Sequence, residues 1–161
     1  MAKEVLERHV AEPKAPDAVA FSMRESIANL VARYALAYDT RDWDTLIGCF
    51  TPDASFTLRV EGTELVGPFQ GHADILRLMR NSAAAQDDRR RHLCTNLMIE
   101  PSGPDRAIAR SYLTLISIRD GHLDVLSTGT YTDEVVHSGG AWRLRTRHLE
   151  LDLPSDGRRR G

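Results

Sequence analysis

The chain has 161 residues, 42% hydrophobic and 27% charged, with a formal net charge of −2. That length suits one domain around a single sizeable core, and that composition suits an ordinary globular protein. Near-neutrality gives no general pull toward nucleic acid or anionic membrane, and no apolar run approaches the roughly 20 residues of a bilayer span. Neither a nucleic-acid partner nor a membrane is expected. The opening MAKEVLERHVAEPKAPDAVA holds no apolar signal core, and Cys49 and Cys94 form no CxxC. Both features point to a cytoplasmic protein with reduced thiols.

Residues 1–21, with Pro13, Pro16 and several charges, read as a flexible arm. Residues 22–153 read as the domain, and 154–161 (PSDGRRRG) as a disordered tail. Ser22-Met23-Arg24-Glu25 has the form of a capping box. Ile27, Leu30, Val31, Tyr34 and Tyr38 then recur at helical spacing, which predicts a helix from about 23 to 38. Asp42 can cap a short second helix holding Trp43, Leu46, Ile47 and Phe50, stopped by Thr51-Pro52-Asp53. ASFTLRV alternates as a strand, and Gly62 marks a turn. Gly71 precedes a third helix with Ile75, Leu78 and Met79 on one face, and AAAQDDRR (83–90) reads as a loop.

From residue 91 the period changes to two. Strands are predicted over 91–100, 107–119, 122–136 and 141–153, separated by PSGPD, DG and SGG. There is no internal repeat and no βαβ alternation. Helices first and antiparallel strands afterwards define an α+β class with a strongly curved sheet.

Chemistry is suggested by two residues. Asp39 falls at the end of the first helix, where the helix dipole disfavours a carboxylate by about 0.3–1 kcal/mol. Solvent, the neighbouring Arg41, or an Asp-Thr-Arg-Asp turn would each account for it. In RHLCTNL, alternation puts His92, Cys94 and Asn96 on one face and Leu93, Thr95 and Leu97 on the other. Such a polar row lines a cavity or faces water. Paired, Asp39 and His92 make chemical sense: a carboxylate on one ring nitrogen fixes the tautomer and raises the basicity of the other. That histidine can take a proton from a carbon beside a carbonyl or a leaving group, with no metal or organic cofactor.

Other chemistries lack their motifs: there is no Gly-rich phosphate loop, GxSxG, HExxH or Cys/His cluster. The arginines at 89–91 follow Asp87-Asp88, which partly cancel them. Arg143, Arg145 and Arg147 share one face of the last strand by alternation, which reads as a solvated face.

The order of a Tyr-rich first helix, D-x-R-D-W-D, F-T-x-D-A, R-H-x-x-T-N, G-x-Y-x-D and W-R-L-x-x-R resembles the SnoaL-like group of the nuclear transport factor 2-like superfamily. The match runs from about 23 to 152. The resemblance implies a cone-shaped α+β barrel, with a curved mixed sheet around a deep pocket behind the helices, and a homodimer or homotrimer. Within the group, AYDTRDWD and RHLCTN resemble segments of the scytalone dehydratases. H-x-x-T-N-L and G-T-Y-T-D-E resemble segments of the hexachlorocyclohexane dehydrochlorinases. Both families eliminate without a cofactor. By resemblance Asp39 and His92 are the dyad, Tyr38 a catalytic tyrosine and Arg147 a pocket arginine. The chain departs from the first family in having no histidine on the 107–119 strand and Leu58 where a second tyrosine falls. It departs from the second in having Tyr34 where a lysine falls.

Tyr34 and Tyr38 can supply a phenol that polarises a carbonyl or protonates a departing hydroxyl. Alternation nominates Phe56, Leu58, Met79, Tyr112 and Tyr131 as pocket walls, with Cys94 and Asn96 beside His92. Such walls suit a small hydrophobic cyclic or polycyclic substrate. The expectation is a cofactor-independent lyase of the dehydratase type. An isomerase or cyclase of a secondary-metabolite pathway, polyketide or terpenoid, would use the same dyad. A non-catalytic binding or accessory subunit is the reading from another class.

Overall fold

The structure is a computed structural model that describes residues 18–154, with side chains from residue 22. Most of the arm and nearly all of the tail expected from sequence lie outside the described residues. Three helices and six strands follow in the order α1 (Ala18–Thr40), α2 (Trp43–Gly48), β1 (Phe50–Val60), β2 (Val66–Gln70), α3 (Gly71–Ala84), β3 (Arg89–Gly103), β4 (Arg106–Arg119), β5 (His122–Ser138) and β6 (Ala141–Leu151). The strands form one mixed sheet in the order β2-β1-β6-β5-β4-β3, in which only β1 and β6 run parallel. The sheet is curved but open, since β2 and β3 are edges that do not pair.

Local chemistry explains most of these elements. Asp42 caps α2, accepting from the Thr45 N–H at 3.1 Å. Asp120-Gly121 and Gly139-Gly140 all have positive φ, as the tight two-residue hairpin turns β4–β5 and β5–β6 require. The Ser22–Glu25 box is not used as a cap, because α1 already begins at Ala18. Thr51 to Asp53 do not stop the chain but open β1, whose pairing with β6 skips between Phe50 and Ser55.

Helix α1 lies across the concave face against β3 and β6, and α3 lies against β1 and β2. Ile27, Leu30, Tyr34, Leu46, Phe50, Ile75, Leu113 and Leu144 form the core between helices and sheet. In β4 the alternation is strict: Ala107, Ala109, Ser111, Leu113, Leu115 and Ser117 are buried on the concave side.

At Gly129 on β5, a Cβ would overlap the Glu150 carbonyl oxygen of β6. Glycine is therefore needed for the close approach of these two strands. Gly129→Ala should destabilise the fold by about 1–3 kcal/mol, the usual cost of overpacking. Urea unfolding measures it, and a change under about 0.5 kcal/mol would show that the strands are free to part here.

Candidate active site

The site begins with how α1 ends. Arg41 adopts a left-handed conformation, φ 59°. Its N–H donates to the Tyr38 carbonyl at 3.1 Å, and the Asp42 N–H donates to the Ala37 carbonyl at 2.9 Å. This is a Schellman closure, made by arginine where glycine is usual. The Arg41 guanidinium reaches away, donating to the Ala83 carbonyl of α3 at 3.1 Å. It is therefore not the partner of Asp39.

That partner is His92. Asp39 Oδ1 lies 2.6 Å from His92 Nδ1, and Oδ2 accepts from the His92 backbone N–H at 3.0 Å. The two side chains are 6% and 12% exposed. An ionised carboxylate only accepts, so Nδ1 carries the proton, and in the neutral ring Nε2 presents a lone pair. The Tyr38 ring meets the imidazole edge-on with centroids 4.7 Å apart, and Trp43 packs against Tyr38 from α2.

His92, Tyr34, Tyr38, Phe56, Leu58, Met79 and Tyr131 line one cavity of about 180 Å³ beneath α1 and α3. The Tyr38 oxygen accepts from Gln86 Nε2 at 3.0 Å, which leaves its own proton free to donate. The Tyr34 hydroxyl is 3.7 Å from the Met79 sulfur, a weak partner. Burial pushes all three phenols above their ordinary range. Arg147 opposes the rise at Tyr34, and the Gln86 hydrogen bond, Arg90 and Arg41 oppose it at Tyr38. The phenols are thus proton donors at neutral pH.

Arg147 sits beneath this cavity rather than in its wall. Nε and Nη2 donate to the two oxygens of Asp133 at 2.8 and 2.7 Å. Its guanidinium is stacked between the Tyr34 and Tyr131 rings, 4.0 and 4.1 Å from their centroids. The side chain has no exposed surface, and Nη1 has no partner among the described residues. Burial disfavours its charge, but the Asp133 carboxylate outweighs that and holds the guanidinium above its usual range. The reading of a solvated arginine face is corrected by a bulge: the β5–β6 register skips Arg145, so Leu144 and Arg147 both point inward.

Three other expected residues lie elsewhere. Tyr112 is 57% exposed on the convex face, because the inward residues of β4 are the odd-numbered ones. Asn96 is exposed at a bulge between Thr95 and Met98, with φ 54°. Cys94 is half-buried and lines a second, open groove between α1 and β3 with Val31, Ala35 and Leu97, and His92 borders that groove as well as the cavity. Burial raises the Cys94 thiol, so it is little ionised at neutral pH. Three polar wall residues are absent from the sequence reading, Ser82, Gln86 and Arg90. Arg90 precedes His92 by two on the same strand face, and extending the strand back to Arg89 would have found it. No sequence signal marks Gln86. Among the described residues, no three His, Cys, Asp or Glu side chains gather as a metal site requires.

A curved α+β sheet that holds a histidine–carboxylate pair on the wall of a small, largely apolar cavity defines a small-molecule-binding domain. The chain belongs to the SnoaL-like domain family, whose model matches residues 20–148. A protein of unknown function from Mycobacterium tuberculosis is similar in structure, with TM-score 0.73 and 30% identity over 89% of this chain and 80% of that one. An NTF2-like protein with a cystatin-like fold from Novosphingobium aromaticivorans has TM-score 0.70 and 22% identity, over 82% and 83% of the two chains. Aln2 from a Streptomyces species has TM-score 0.71 and 22% identity, over 85% and 94%. None of the curated proteins matches the sequence. Among the described residues, no helix is long and apolar enough to cross a membrane.

Two outcomes follow from this geometry. The Nδ1 proton of His92 should give a downfield, slowly exchanging NMR signal that disappears in Asp39→Asn; its persistence there would mean another group holds the ring. The buried phenols of Tyr34 and Tyr131 stabilise the fold fully below about pH 10, the unfolded value, and less above it, where only the unfolded phenols ionise. Urea midpoints should fall between about pH 9 and 11 in wild type and fall less in Tyr34→Phe, whereas parallel declines would show that Tyr34 does not contribute.

Proposed function

We propose that the protein is a cofactor-independent lyase that removes water from a small β-hydroxy carbonyl compound, with His92 as the base. The observation that carries this reading is the 2.6 Å contact between Asp39 and His92 Nδ1 at the cavity wall. Nε2 takes the proton from the carbon between the carbonyl and the hydroxyl-bearing carbon. The C–H pair becomes the new C=C bond, and the C–O bond breaks. Tyr38, held by Gln86 with its proton free, protonates the departing oxygen so that water leaves. His92 then returns its proton to the Tyr38 oxygen, which restores both residues. Asp39 offsets the imidazolium charge while it lasts.

The cavity, at about 180 Å³, is below the roughly 300–1,000 Å³ of most ligand pockets. It favours a single-ring substrate over a polycyclic one. A proton shift without loss of water would use the same groups, and product mass separates the two reactions. A panel of single-ring β-hydroxy ketones and β-hydroxy esters, followed by mass spectrometry, should yield a product lighter by one water. His92→Ala and Asp39→Asn should each lower kcat by about 10²–10⁴, the usual contribution of a general base, while circular dichroism stays native. Full turnover in His92→Ala would remove the mechanism. A product of unchanged mass would make the protein an isomerase.

A further inference from the structure

Arg90 is the one guanidinium on the wall of this cavity, since Arg147 lies beneath the tyrosines with its surface fully covered. Its side chain is only 12% exposed. It is fixed at one edge: Nε donates to both oxygens of Asp88, at 3.0 and 3.3 Å. The Asp88 side chain is itself fully covered. Arg90 and Ser117 are paired across the β3–β4 ladder. Among the described residues the two η nitrogens have no hydrogen-bond acceptor. A planar fork held at Nε thus has its Nη edge available in a cavity whose other polar groups are Gln86, Ser82, the tyrosines and His92.

The strand sets this fork and the base side by side on one wall of the cavity. Arg90 and His92 stand two residues apart on the concave face of β3, about 6.6 Å at the usual rise per residue. A small carbonyl compound in the cavity can meet both. Its oxygen sits about 2.8 Å from an N–H donor, and its α-carbon about 3–3.5 Å from the base, as in a near-attack arrangement. The Arg90–Asp88 pair is neutral overall, so the resting cavity holds no uncompensated charge to bind a free anion strongly. Charge appears only in the reaction: when His92 takes the α-proton, the carbonyl oxygen becomes an enolate oxygen. A fixed donor aimed at that oxygen acts where the charge develops, the arrangement that contributes most to catalysis.

We propose that Arg90 is a further catalytic residue, whose Nη edge binds the substrate's carbonyl oxygen and stabilises the enolate formed by His92. The substrate is thereby a ketone, ester or similar carbonyl compound with its acidic C–H beside the carbonyl. This rests on the reading of the cavity as a proton-abstraction site, and its test does not require a known substrate.

The probe is 4-nitrophenol, a single ring whose phenolate resembles an enolate in charge and is read by its absorbance. In wild type the neutral phenol should enter and pass its proton to His92, so that the bound form is largely phenolate, balanced by the imidazolium, at a pH where free 4-nitrophenol is mostly protonated. Arg90→Gln should bind phenolate at least tenfold more weakly, yet bind 4-nitroanisole, which cannot ionise, within twofold of wild type. Arg90→Lys keeps a cation beside Asp88 and so protects the fold, but lacks the fork, and should fall between. Equal phenolate capture in all three proteins, no phenolate in wild type, or an equal loss of 4-nitroanisole would each overturn the assignment. If Arg90-dependent capture holds while no carbonyl compound is turned over, the oxyanion site stands and the lyase reading fails. With a substrate in hand, Arg90→Gln should lower kcat far more than it changes KM.

Discussion

One buried cation organises the concave side of the sheet. Arg147 projects from β6 to a fully covered position, where its charge needs a paired carboxylate and close packing. Asp133 from β5 takes one edge, and the rings of Tyr34 and Tyr131 take the two flat faces. These partners come from α1 and β5, and Arg147 itself from β6, so the ion pair sets how the first helix sits on the sheet. Losing one member of such a pair typically costs about 3–5 kcal/mol, because the other charge stays buried. The two tyrosines that cover Arg147 are the floor of the cavity above it. The shape of the cavity is therefore tied to a charge that the cavity never touches.

A second tie runs from the end of α1 to β3, and it can be weighed. The helix dipole penalises Asp39 by about 0.3–1 kcal/mol at most exposed sites. Hydrogen bonds to a charged group contribute about 1.5–3 kcal/mol each, and Asp39 receives two from His92, one from the ring and one from the backbone. The gain exceeds the penalty. The backbone bond also fixes the imidazole's own strand to the helix, so the ring is held from two directions. The Schellman closure at Arg41 serves the same end: it satisfies the last carbonyls through the backbone and leaves the Asp39 side chain free for β3.

Much of this was legible from residue patterns. The helical repeat of Ile27, Leu30, Tyr34 and Tyr38 fixed the buried face of α1, and period two gave β4 and β5 nearly to the residue. Asp42, Asp120-Gly121 and Gly139-Gly140 marked a cap and two hairpin turns through backbone conformations that few residues adopt. Two of the errors share a cause. Alternation assumes an unbroken ladder, and β3 and β6 each carry a bulge that changes which face a residue occupies. Asn96 and Arg147 stand beside those bulges, so their faces were misjudged. Strand β2 was missed because VGPFQ, with a glycine and a proline, has no alternation to read. Arg90 was passed over because charge counting along the chain cancelled it against Asp88. In space the same carboxylate takes only its Nε edge and leaves the fork available.

The cavity's electrostatics narrow the chemistry it supports. Both arginines near it are paired with carboxylates, Arg147 with Asp133 and Arg90 with Asp88. Asp39 is engaged with His92. The groups left facing the ligand are a lone pair on Nε2, phenols that burial keeps protonated, an amide, and an arginine fork. Such a set moves protons and steadies a transient negative oxygen, because each partner changes its charge only as the ligand does. A permanently anionic ligand would bring a charge that nothing in the resting cavity balances. In a neutral carbonyl compound the enolate and the imidazolium arise together and balance each other within a few ångströms, where a low-dielectric wall makes their attraction strong.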